Sequence, residues 1–280
     1  MRPGGGGAVI EEVRELAGRW LESGRVDAVL GLRELDGRVA PHLFTDTGEL
    51  DGLVLSPDYP VVYTCGQRRK TVPRLLEREN PGGKIGVVAR GCDERALIEL
   101  AKRNQLSLEK IEIIGVSCTR EEAESCGCSR PYPTNLAVGE AVEGVSVDED
   151  VEALLGMSLE ERREFWRREF SKCMKCYGCR NACPLCFCED CQLEQEQWVD
   201  VGHVPPEIPM FHFIRFYHLA DRCIECGECE RACPVDIPLL TIHRLLRRDV
   251  KELFDYEAGR DAEHESPLIT TLDEAPMEER

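Results

Sequence analysis

The sequence predicts two unlike halves: an α/β N-terminal domain with a parallel βαβ core, and a smaller α+β domain dense in cysteine behind it. Two observations carry this. Cysteine is sparse through the first 117 residues, with only Cys65 and Cys92, and dense from 118 to 233. Within residues 84–118 two short apolar strands, IGVVA and IEIIGV, flank DERALIELAKRN, whose apolar residues recur with the period of a helix. A strand, a helix and a second strand in that order make a crossover, which requires parallel strands with the helix lying on the sheet face.

The remaining elements follow in chain order. Residues 8–24 carry apolar positions at helical spacing and stop at Gly24. VDAVLGLREL (26–35) and RVAPHLF (38–44) flank Asp36-Gly37, a pair suited to a two-residue hairpin turn. DGLVLS (51–56) reads as a strand and 66–79 as a helix. Asp93 is placed to cap the crossover helix. The α/β domain thus covers 1–145. Residues 146–170 read as a linker helix, and Asp148, Glu149 and Asp150 as its N-terminal charge run. A calcium loop would need alternating spacing and a distal Glu. The cysteine-rich domain spans 171–256 with an insertion at 184–222, and 257–280 reads as an acidic, solvated tail.

Composition removes several classes of function. A formal charge of −18 argues against nucleic-acid binding, which needs a basic face; it favours solubility or steering toward a partner with a basic patch. No run approaches the roughly 18 apolar residues of a membrane span, and the N-terminus has no apolar core for a secretory signal. The expected location is cytoplasmic, where thiols stay reduced. Sixteen cysteines in 280 residues are then metal ligands rather than a disulfide framework.

The motifs agree. CMKCYGCRNACPL (173–185) and CIECGECERACPV (223–235) repeat one pattern, Cys-x-x-Cys-x-x-Cys-x-x-x-Cys-Pro. Three closely spaced cysteines wrap a loop around one iron–sulfur cube, and the fourth, followed by proline, reaches across to a second. The sets are Cys173, Cys176, Cys179 with Cys233, and Cys223, Cys226, Cys229 with Cys183. The domain is therefore expected to be ferredoxin-like, α+β, with two 4Fe–4S clusters. Paired Cys-x-x-Cys zinc sites are the alternative, but zinc has no use for the third cysteine or the proline.

Eight cysteines lie outside the repeats. Cys92 opens a helix, where backbone amides and the helix dipole favour a thiolate. Cys118 follows the next strand, and Cys126 and Cys128 lie in the loop beyond. Strand C-terminal ends of an open α/β sheet converge on one crevice, so these four are candidates for a further iron–sulfur or zinc centre. Cys186, Cys188 and Cys191 are candidates for another, with Cys65 a possible fourth ligand. Cys65 and Cys92 fit a buried apolar role equally well. His212 and His218 read as surface or hydrogen-bonded groups, on an aromatic stretch (Phe211, Phe213, Phe216, Tyr217) that packs a helix on the module. GGGG at 4–7 follows no strand and is no dinucleotide loop. Arg68, Arg69 and Lys70 form a basic helix face.

GCDERALIELAKRNQLSLEKIEIIGVSC resembles the module around a Gly-x-Pro-Cys-type turn in beta subunits of deazaflavin-coenzyme hydrogenases and dehydrogenases, although Gly91-Cys92-Asp93 stands at that turn here. RNACPLCFCEDCQ and HLADRCIECGECERACPVDIPL resemble segments of formate-dehydrogenase-type beta subunits. The resemblance covers about 26–256. It implies a subunit passing electrons between a catalytic dehydrogenase, hydrogenase or heterodisulfide reductase subunit and a soluble carrier, with FAD bound beside the clusters in deazaflavin-reducing members.

The leading expectation, from the cluster motifs and what the resemblance implies, is an electron-transfer subunit of a cytosolic anaerobic oxidoreductase complex; no nucleophile–base pair or paired carboxylates stand out, which leaves bond chemistry to a partner or a bound flavin. A flavin enzyme exchanging hydride with a deazaflavin or nicotinamide, and a redox-sensing or structural metal module, are the alternatives.

Overall fold

The structure, a computed structural model, describes residues 7–56, 61, 83–145, 149–188 and 190–268. The helix expected at 66–79, Cys65 and the basic face at 68–70 lie outside the described residues, as does the end of the acidic tail.

The first half is a three-layer sandwich. Helix α1 (Gly7–Glu22) precedes the hairpin of β1 (Ala28–Leu35) and β2 (Arg38–Phe44). Asp36 and Gly37 at its turn both have positive φ, 51° and 72°, as the Asp-Gly pair requires. Strand β3 is short (Leu53–Val54) and pairs with β1. The crossover follows as expected: β4 (Ile85–Ala89), α2 (Gly91–Lys102) and β5 (Ile111–Val116), the strands parallel with Val87 opposite Ile113. Beyond α3 (Arg120–Cys126), β6 (Leu136–Val138) completes the sheet in the order β2-β1-β4-β5-β6. The sheet is mixed, since β2 and β3 run antiparallel to β1.

Strand alternation sorts the core into two faces. Val29, Val88 and Ile114 point toward Val13, Ala17 and Trp20 of α1. Leu30, Leu32, Val87 and Ala89 face α2 through Leu97 and Leu100. That second face also takes in Leu185, Leu219 and Ile224 from the cysteine-rich half. The two halves therefore share one apolar core.

Helix α2 is capped differently from the expectation. Arg90 is the N-cap residue, and Asp93 acts from the third helical position, its carboxylate accepting the Arg90 N–H at 3.0 Å. The linker is two helices, α4 (Glu149–Gly156) and α5 (Leu159–Ser171), the latter started by a Ser158–Glu161 capping box.

In the second half, each motif repeat makes the same backbone. Lys175 and Tyr177 of the first are left-handed, and so are Glu225 and Gly227 at the matching positions of the second. Each repeat then makes one short helix, α6 (Gly178–Asn181) and α8 (Glu228–Arg231). Gly178 lets the two meet closely: a Cβ there would lie 2.7 Å from the Ala232 carbonyl oxygen. Between the repeats lies α7 (Met210–Tyr217), which buries Phe211 and Phe216 and leaves Phe213 and Tyr217 exposed. The chain closes with α9 (Leu239–Phe254).

The expected solvated tail is packed at its start. Ala258 and Ser266 are buried, and the Gly259 N–H donates to the buried Glu99 carboxylate at 2.7 Å. A charged segment was read as solvated because its acceptor lies about 160 residues upstream, out of reach of local pattern.

Candidate metal centres

Three groups of thiols come together. The first belongs to the first repeat. Cys173 is electrostatically coupled to Cys176, Cys179 and Cys233, and Cys173, Cys179 and Cys233 pack on one cluster with Phe170, Phe216 and Ile237. The second is a small cavity lined by Cys223, Cys226, Cys229 and Cys183, closed by Leu185, Ile224 and Leu240. In both groups the fourth cysteine comes from the other repeat.

Backbone amides feed these sulfurs in matching register. The Lys175 and Gly178 N–H groups lie 3.4 Å from Cys173 Sγ and Cys176 Sγ. In the second repeat the amides of Glu225 and Glu228 donate to Cys223 and Cys226. The Ile237 N–H approaches Cys233 Sγ at 3.5 Å. Such N–H···S bonds favour thiolate over thiol. Burial opposes them and is the larger effect: it pushes Cys173, Cys179, Cys223, Cys226 and Cys229 above the usual thiol range. Metal uptake by these five thiols must therefore release protons. The residue types, the crossed fourth cysteine and the paired amides fit an iron–sulfur cube in each group.

The third group is the crevice at the strand ends. Cys92, Cys118, Cys126 and Cys128 line one pocket, as the topology implied, together with Arg90, Arg95, Cys226 and Glu225. Glycines make the convergence possible. A Cβ on Gly91 would lie 2.4 Å from the Arg130 carbonyl oxygen, and one on Gly115 2.1 Å from that of Asn135. The loop carrying Cys126 and Cys128 is then fastened to α2: Arg95 donates to the Arg130 carbonyl at 2.9 Å, and Glu94 accepts from the Thr134 N–H at 2.8 Å. At Cys92 burial works against the helix-start effect in the metal-free chain. Burial pushes that thiol up to about 12, with Asp93 adding to it against Arg90 and Arg95.

Cys186, Cys188 and Cys191 open together onto a chamber of about 580 Å³ in the insertion. His218 is exposed at its edge, whereas His212 is neither at the surface nor hydrogen-bonded through Nδ1. It is buried, with its ring stacked on Phe170 at 4.0 Å.

Among the described residues no three His, Cys, Asp or Glu are gathered tightly enough to hold a lone ion. Sequence reasoning missed the buried arginines beside the thiols. Arg90 and Arg95 line the crevice, and Arg215, only 5% exposed, reaches Cys186 Sγ at 2.8 Å and the Cys179 carbonyl at 2.6 Å. An arginine in an acidic chain reads as a solvated charge, and only the fold brings it to a thiol. Among the described residues no helix is long and apolar enough to cross a membrane.

Comparison with known proteins fits this site. Residues 216–238 match the family described as 4Fe-4S binding domain. The chain is 38% identical over 207 residues to F420-dependent formate dehydrogenase 1 subunit beta of Methanococcus maripaludis, covering 71% of this chain and 49% of that protein. It is 36% identical over 147 residues to F420-dependent formate dehydrogenase subunit beta of Methanocaldococcus jannaschii, covering 50% of this chain and 38% of that one. The chain spans half or less of the length of these relatives. Over the length they share, the chain is similar to the beta subunits of F420-dependent formate dehydrogenases, and residues 216–238 carry the 4Fe-4S binding domain match.

Proposed function

We propose that this chain is the electron-relay subunit of an oxidoreductase, taking electrons through iron–sulfur clusters between a catalytic dehydrogenase-type subunit and a soluble carrier. Two 4Fe–4S clusters are assigned to the ferredoxin-like repeats, on Cys173, Cys176, Cys179 and Cys233, and on Cys223, Cys226, Cys229 and Cys183. A third is assigned to Cys92, Cys118, Cys126 and Cys128. When bound, such clusters supply one-electron carriers.

One observation carries the reading: Cys226 and Glu225 line the crevice that also holds Cys92, Cys118, Cys126 and Cys128. A ligand loop of the repeats thereby forms a wall of the crevice site, and the shared core of the two halves keeps that spacing fixed. The chain's residues do the positioning. Amides donate to ligand sulfurs, which stabilises the more negative reduced state. Apolar walls exclude water. Arg90 and Arg95 set positive charge beside the crevice thiols.

The test is anaerobic purification with iron, acid-labile sulfide, zinc and flavin quantified alongside any copurifying subunit, followed by dithionite reduction. Dithionite-reducible iron without stoichiometric flavin, in a complex with a dehydrogenase subunit, is the expected result. Stoichiometric flavin would move the chemistry into this chain, and clusters that dithionite does not reduce would make the metal structural.

A further inference from the structure

The insertion between the repeats is more than a spacer. After Pro184 the chain passes through Cys186, Cys188 and Cys191 and folds over α7, and all three thiols face the 580 Å³ chamber. The chamber wall is mainly apolar, from Leu185, Leu193, Ile214 and Leu219, and its rim carries the exposed rings of Trp198 and Phe213.

A second observation points to a bound anion. Arg215 lines the chamber with its guanidinium buried, and its Nε has no hydrogen-bond partner. The groups that act on its charge most strongly are Cys186, Cys179, Cys183 and Cys229, with no carboxylate among them. A buried cation needs a countercharge, and three thiolates on an iron–sulfur core supply one.

We propose that Cys186, Cys188 and Cys191 hold an iron–sulfur cluster through three thiolates, with Arg215 as its countercharge and its fourth iron turned to the apolar chamber. A Cys-x-Cys-x-x-Cys run offers three sulfurs to a four-iron core. Among the described residues no further cysteine lines the chamber, which leaves the fourth corner to a non-cysteine ligand such as water or a small exogenous donor. Arg215 also donates to the Cys179 carbonyl and lines the Cys183 cavity, so it lies between this site and both repeat sites.

Wild-type protein, purified anaerobically, is treated briefly with ferricyanide and examined by electron paramagnetic resonance. One-electron oxidation of a cluster with an uncoordinated corner transfers the electron to ferricyanide and expels one Fe²⁺, leaving a three-iron cluster with a distinctive signal. That signal is expected in the wild type and absent from a Cys188→Ser, Cys191→Ser double variant, which should also carry about four fewer irons per chain. Dithionite-reduced signals of the repeat clusters, unchanged in the variant, report folding and test the relay separately. If the double variant loses those too, Cys191→Ser alone decides by the same two readouts. No three-iron signal in the wild type, an unchanged iron count in the variant, or loss of zinc in place of iron overturns the proposal.

Discussion

Tyr256 donates its hydroxyl to the Glu99 carboxylate at 2.9 Å, joining the inner face of α2 to a segment 157 residues downstream. Glu99 is fully buried and also takes the Gly259 N–H at 2.7 Å, Lys102 at 3.3 Å and Arg103. Arg103 in turn reaches Asp221 at 2.7 Å, and Ser266 donates to the same carboxylate. Three stretches distant in sequence thus meet on one buried polar network. Helix α2 carries Cys92 at its start, so this network also orients the crevice site.

Removing Glu99 leaves buried Lys102 without a carboxylate and Arg103 with Asp221 alone, so Glu99→Ala is expected to destabilise the protein by about 3–5 kcal/mol. Urea denaturation of the anaerobic protein checks this. A loss below about 1 kcal/mol would mean the network is solvated and does not join the halves.

Gly91→Ala drives a methyl group into the Arg130 carbonyl oxygen. The loop with Cys126 and Cys128 must move, at a cost of about 1–3 kcal/mol. The variant is expected to lose the crevice iron, about four atoms per chain, while the dithionite-reducible signals of the repeats persist. Full iron in Gly91→Ala would place the crevice thiols outside the metal set.

His212 gives a pH dependence with a defined sign. Burial among the rings of Phe170, Phe211 and Phe216 lowers its pKa from 6.5 to about 4. The unfolded chain takes up the proton as pH falls through 6.5, and the folded chain only near 4. Stability therefore falls across that window, by about 3 kcal/mol in full, and levels off below it. His212→Phe should flatten this part of the slope in denaturation midpoints between pH 7 and 5. A slope equal to wild type would mean the imidazole is charged in place.

Ligand crossing between the repeats is open to double-variant logic. If Cys183 and Cys226 serve one cluster, Cys183→Ser and the Cys183→Ser, Cys226→Ser pair should lose the same iron, about four atoms. Cys183→Ser with Cys173→Ser should lose about eight. The reverse pattern would put Cys183 with its own repeat.

Much of this was legible in the sequence because the relevant signals are local. The hairpin follows from Asp36-Gly37, the crossover from two apolar strands flanking a helical period, and the two sulfur groups from repeated spacing. Convergence of Cys92, Cys118, Cys126 and Cys128 was legible one step further, since parallel topology puts strand ends on one side. What was hidden depends on distant partners. Arg215 at Cys186, Glu99 at Tyr256 and the packed start of the acidic tail each pair residues whose separation leaves no periodic trace. Cys92 shows the same limit: the helix dipole can be read from the sequence, whereas the depth of burial that opposes it cannot.

The central claim is that the paired repeats hold two reducible clusters. Iron and sulfide analysis of anaerobically purified protein, with electron paramagnetic resonance after dithionite reduction, tests it most directly. The account expects at least about eight irons per chain and two interacting paramagnets on full reduction. Fewer than about four irons, or no dithionite-dependent signal, would contradict it.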